Sequence, residues 1–145
     1  MNLVVDASIA VKWLFEEPDS DRAEALLEAG ERKRVKLVAP DILTAEVANA
    51  LWKRMRRGDL DRRATLEAVN YFESICPLLH PIEGLWRPAL NLAIGYNHPV
   101  YDCLYLALAE ALPGDLVTAD ERFYKAFNRD FPPLQLLRSW SWEEP

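Results

Sequence analysis

Much of what this 145-residue chain can be is decided by what it has little of. It has two cysteines, Cys76 and Cys103, far apart and each beside apolar residues, which read as buried free thiols of a reducing compartment. No apolar run approaches the roughly 20 residues needed to span a bilayer, so a membrane-spanning helix is excluded. The opening MNLVVDASIAVKW has no basic leader, and Asp6 and Lys12 interrupt its apolar residues. That is not a signal-peptide pattern, and the cytoplasm is the expected compartment. Internal repeats, low-complexity stretches and linkers are missing as well, and one domain over residues 1–145 is expected. Positive charge is also in deficit: 17 Lys and Arg stand against 23 Asp and Glu, a net charge of −6. A protein that holds nucleic acid by phosphate neutralisation alone would be basic, so a polyanion partner must meet a local basic patch or metal ions.

Half the residues are apolar and 28% are charged, an ordinary globular balance. LVVD (3–6), KLVAP (36–40), LLHPI (78–82), DLVTAD (115–120) and PLQLLRSW (133–140) read as short buried strands. Between them lie helical patterns: SIAVKWLF after the first strand, 19–33 opening on N-cap residues, 42–57 capped by Asp41, 61–75, 84–97, a segment beginning at Pro99, and ERFYKAF. WEEP is read as a tail. Strands alternating with helices predict a three-layer α/β/α domain around a central parallel sheet.

In such a sheet ligands bind beyond the carboxyl ends of the strands. Asp6 stands at the end of the first strand and Asp120 just past DLVT; each also precedes a helix, where an aspartate serves equally as an N-cap. On a helical wheel of 42–57, Glu46, Asn49, Lys53, Arg56 and Arg57 share one narrow polar stripe in an otherwise apolar circumference. The stripe either faces solvent throughout or turns Glu46 and Asn49 toward a polar cleft. Asp102 is the least expected acid. It sits in PVYDCLYLALAEAL, apolar almost all round, where an ionised carboxylate without partners costs on the order of several kcal/mol. A first-turn helix-dipole position accounts for part of that. Four acids near helix starts could converge on one cleft, and they could be ionised together only with divalent cations among them. All-oxygen donors select hard ions, Mg²⁺ or Mn²⁺.

VVDASIAVKWL, TAEVANAL, YDCLYLALAE and LVTADERF, in this order and over nearly the whole chain, resemble the PIN-domain family, and most of all its VapC-type ribonuclease toxins. The resemblance implies an acidic metal site at Asp6, Glu46, Asp102 and Asp120. It implies supporting hydroxyls at Ser8 and Thr118 and a polar helix partner at Asn49. It also implies magnesium-dependent RNA cleavage, a homodimer, and inhibition by a cognate antitoxin. Within residues 53–63, Lys53, Arg54, Arg56, Arg57, Arg62 and Arg63 form the one dense basic cluster, read either as a solvated helix end or as ground for RNA or an acidic partner. Other classes fit less well. A haloacid-dehalogenase-like phosphatase wants a second aspartate where Ser8 stands, and a phosphoreceiver wants a paired acid and a late lysine. A histidine-based ribonuclease has only His80 and His98, which read as structural or exposed. A non-catalytic interaction module, its acids merely capping helices, stays open. Lys12 could reach a phosphate but reads as solvent-facing, and Trp140 and Trp142 read as packed edges or interface residues before base-stacking platforms.

Overall fold

A computed structural model describes residues 1–141. Five strands, β1 (Asn2–Val5), β2 (Lys36–Pro40), β3 (Leu78–His80), β4 (Gly114–Thr118) and β5 (Leu134–Leu136), form one sheet in the order β3-β2-β1-β4-β5. Every pairing is parallel. Seven helices flank it: α1 (Ala7–Leu14), α2 (Ser20–Glu31), α3 (Ile42–Arg56), α4 (Arg62–Ile75), α5 (Trp86–Tyr96), α6 (Val100–Ala111) and α7 (Glu121–Phe127). The β1-to-β2 and β3-to-β4 crossovers run in opposite directions across the sheet. Right-handed connections therefore put α1 and α2 on one face and α5 and α6 on the other, the expected three-layer arrangement. No helix among the described residues is long and apolar enough to cross a membrane.

The strands carry the apolar runs that two covered faces demand: Leu3, Val4, Val5, Val38, Ala39, Leu116 and Val117 are all essentially inaccessible. α6 packs across β1, β2 and β4 and buries Cys103 through Leu108 without a break, as its all-round apolar sequence requires. At Gly114 a side chain would run into the backbone carbonyl of Asn2, so only glycine lets β4 start flush against β1.

Several element boundaries differ from the sequence reading. The last strand stops at Leu136, and Leu137–Ser139 turn into a short 3₁₀ helix. The third strand ends at His80, where Pro81 leads into a 3₁₀ turn, Ile82–Gly84, ahead of α5. Asp41 does not cap α3: its backbone is already helical, and its Oδ1 accepts instead from the Ile82 N–H at 3.2 Å, tying β2 to the segment after β3. Asp19 precedes α2 in the left-handed region and makes no side-chain cap. Cys103 is buried as expected, but Cys76 is only half-buried. Trp140 packs against the core edge; Trp142 and the WEEP tail lie outside the described residues.

Candidate active site

Strand order reverses direction between β1 and β4, and the crevice outside their carboxyl ends is where this architecture places ligands. Asp6 leaves β1 at that point and is 5% exposed. It caps α1, accepting from the Ile9 N–H at 3.3 Å. Ser8 Oγ donates to Asp6 Oδ1 at 2.5 Å, and Thr118 Oγ1 donates to Oδ2. The next turn fixes the direction of both hydroxyls. The Ala119 N–H donates to Ser8 Oγ at 2.8 Å and the Asp120 N–H to Thr118 Oγ1 at 3.1 Å. Each hydroxyl is thus an acceptor from the backbone, which leaves its single O–H for Asp6.

Burial pushes the Asp6 carboxyl up to about 7, against the pull of Ser8 and Thr118 and with a further push from Asp102. Asp102 lies in the first turn of α6, half-buried, with Oδ2 2.7 Å from His98 Nε2. Its carboxyl is also raised, by burial first; His98 opposes the shift and Asp120 adds to it. Glu46 on α3 is half-buried, and Tyr105 of α6 donates to its Oε1 at 2.7 Å. Burial again raises it, with Asp102 adding. Asp120 is exposed, and its Oδ1 caps α7 through the Arg122 and Phe123 N–H groups at 2.9 and 3.2 Å. The four acids therefore act on one another through Asp102, which influences Asp6 and Glu46 and is itself influenced by Asp120.

They do not form a closed cage. Among the described residues no group of three or more His, Cys, Asp or Glu side chains is gathered tightly enough to hold an ion as it stands. The donor chemistry nonetheless fits a hard divalent cation. All four candidate donors are carboxylate oxygens, and Asp6, Glu46 and Asp102 are raised first by burial and then by a neighbouring carboxylate, both of which a cation would offset. Asn49 is exposed on α3, one turn past Glu46.

The basic residues divide. Arg54 is committed to the fold: it pairs with Glu17 at 2.5 Å and stacks over Phe15 at 3.9 Å, which removes it from the expected open patch. Arg57 pairs with Asp59 on the exposed surface, Arg56 lies over Trp52, and Lys53 is exposed. Lys12 does not face solvent. Its side chain is 12% exposed and bound to Glu17 at 3.3 Å, the same glutamate that Arg54 holds.

Two side chains at the site were not singled out from the sequence in this role. His98 is held by Phe127 and Phe123, with ring centroids at 5.0 and 6.0 Å, in a turn opened by Asn97 in the left-handed conformation (φ 50°) and closed by Pro99. Tyr105 is buried. Their spacing from Asp102, i−4 and i+3, was the available signal.

A parallel α/β sheet with Asp6 and Asp120 just past the ends of its neighbouring strands β1 and β4 places the protein among α/β domains with acids at the carboxyl ends of their strands. Within that class, residues 3–127 match the PIN domain family model, and the chain belongs to that family. Ribonuclease VapC3 of Pyrobaculum aerophilum is 34% identical over 132 residues, covering 88% of this chain and 95% of that protein. Ribonuclease VapC9 of Mycobacterium tuberculosis is 32% identical over 120 residues, covering 83% and 87%. The fold is similar to the crystal structure of PAE2754 from Pyrobaculum aerophilum (TM-score 0.69, 22% identity, 96% and 91% of the two chains). It is also similar to VapBC2 from Rickettsia felis bound to a promoter DNA fragment (TM-score 0.66, 20% identity, 94% and 97%).

Proposed function

We propose that this chain is a divalent-metal-dependent endoribonuclease, the toxin of a toxin–antitoxin pair, working as one domain in the cytoplasm. The observation that carries the reading is the Asp6 network. A buried carboxylate at the switch point is gripped by Ser8 and Thr118 and lies within electrostatic reach of Asp102. Such an arrangement is costly for stability and has a purpose if charge is to be held there. Relatives named as ribonucleases, more than 30% identical over most of the chain, support the same reading.

Asp6, Glu46, Asp102 and Asp120 would hold the ion, Mg²⁺ or Mn²⁺. When bound, it supplies neutralisation of phosphate charge and activation of water. The chain's own residues do the rest. Ser8 and Thr118 lock the Asp6 rotamer, with their hydrogens aimed by two backbone N–H groups. His98 braces Asp102 from an aromatic niche. Asp120 stays at the solvent side of the cleft, where an RNA strand enters, and Asn49 lines the approach along α3. Lys53, Arg56 and Arg57 bind backbone phosphates at the rim; Arg54 secures the helix beneath them.

For partners, the exposed Trp52, Met55 and Leu66 beside the basic cluster suit an antitoxin segment that folds on binding. Trp86, Leu90 and Ile94, exposed at four-residue spacing on α5, suit a homodimer contact. Sequencing RNA 5′ ends from cells expressing the chain tests the function. Discrete new ends that vanish with Asp6→Asn are expected; an end profile identical for the two proteins would defeat the proposal.

A further inference from the structure

Tyr105 is a large polar side chain that the reading above leaves without a task. It is 1% exposed, packed in the middle of α6, and its hydroxyl donates to Glu46 Oε1 at 2.7 Å. A buried tyrosine needs a partner for its O–H, and a backbone carbonyl would serve. Here the partner is a glutamate of another helix, 59 residues away in sequence. Glu46 has reason to leave. Asp102 repels it, and α3 offers it an open polar stripe, with Asn49 and Lys53 exposed one and two turns on. A free glutamate on such a stripe swings toward water. The Tyr105 hydroxyl makes the one hydrogen bond to Glu46 among the described residues, and it leaves Oε2 unengaged.

We infer that Tyr105 is a positioning residue, whose hydroxyl holds Glu46 over the cleft so that α6 supplies both its own acid, Asp102, and the orientation of the acid from α3. Asp102 and Tyr105 are three positions apart, so both lie on one side of α6, and a single rigid helix sets the distance between two carboxylates from different elements. Outer partners of this kind change metal affinity without touching the ion. The inference rests on the proposed metal site.

The test is Mn²⁺ binding to the purified chain, read by electron paramagnetic resonance, for wild type, Tyr105→Phe, Asp6→Asn, Glu46→Ala and the Glu46→Ala, Tyr105→Phe double variant. Tyr105→Phe keeps the ring and removes only the hydroxyl. It should weaken Mn²⁺ by about tenfold, the low end for such partners. In the Glu46→Ala background the same change should have no further effect, since its action runs through Glu46. Wild-type affinity in Tyr105→Phe while Asp6→Asn loses binding overturns the role of Tyr105 alone. Wild-type affinity in Asp6→Asn overturns the metal site itself. If Tyr105→Phe does not fold, the unmodified protein decides: the buried Tyr105 hydroxyl proton should shift in NMR spectra on Mg²⁺ addition, and a line indifferent to saturating Mg²⁺ overturns the inference.

Discussion

Thr118 and Asp6 are 112 residues apart in sequence and joined by a hydrogen bond from the threonine hydroxyl to the buried carboxylate. The contact exists because β1 and β4 pair side by side, Val5 opposite Val117, so both strands leave the sheet at the same level. A valine at 118 would keep the shape and remove the donor. Thr118→Val should raise the Asp6 pKa further and weaken Mn²⁺ binding, with Thr118→Ser restoring both. Carboxyl-carbon NMR titration of Asp6 in the three proteins checks this; an unchanged Asp6 midpoint in Thr118→Val would make the hydroxyl a bystander.

Stability should fall with pH in the metal-free protein. The Asp6 carboxyl ionises at about 7 when folded against 3.8 for the unperturbed group, so the folded state holds its proton more tightly than the unfolded chain does. The contribution of Asp6 is fully favourable below pH 3.8 and is lost as pH rises through 7. Glu46 and Asp102, both raised, act in the same direction. In EDTA, urea unfolding of wild type should lose on the order of a few kcal/mol between pH 4 and 8. Asp6→Asn should lose distinctly less, and Mg²⁺ should flatten the wild-type curve. A curve that rises across this range in EDTA would mean that Asp6 is ionised and satisfied by the protein alone.

Arg54 and the Arg56, Arg57 pair should separate cleanly. Arg54→Ala breaks a part-buried ion pair and a stacked contact on Phe15, and should cost about 1–2 kcal/mol in denaturant unfolding. Arg56→Glu with Arg57→Glu should leave stability within about 0.5 kcal/mol, since both residues are exposed. In that double variant RNA binding should weaken and depend less on salt, with Mn²⁺ affinity unchanged. A wild-type salt slope would reduce the cluster to a solvated helix end.

The parallel sheet was legible because its strands are short apolar runs bounded by breakers, and the acids because a charge is conspicuous at a strand end or in an apolar helix. Asp102 showed that best. What the sequence concealed was local competition. Asp41 looks like a cap, yet a long-range acceptor role with Ile82 won. Arg54 sits among basic neighbours, and the positions of Phe15 and Glu17 after α1 distinguish it. The hydrogen bond of Tyr105 links α6 to α3, a partner that a one-dimensional pattern cannot aim. The tightness of the acid cluster was likewise hidden, because side-chain rotamers set it.

The most direct measurement is cleavage of a defined RNA by the purified chain, with end-group analysis of the products. In Mg²⁺ or Mn²⁺ the account predicts internal cuts leaving 5′-phosphates, as hydrolysis by activated water gives. They should be abolished by EDTA and reduced at least about a hundredfold in Asp6→Asn, the scale of losing a principal charge-stabilising group. Cleavage that persists in excess EDTA and ends in a cyclic phosphate would mean attack by the RNA 2′-hydroxyl, and would contradict the metal-dependent acid site.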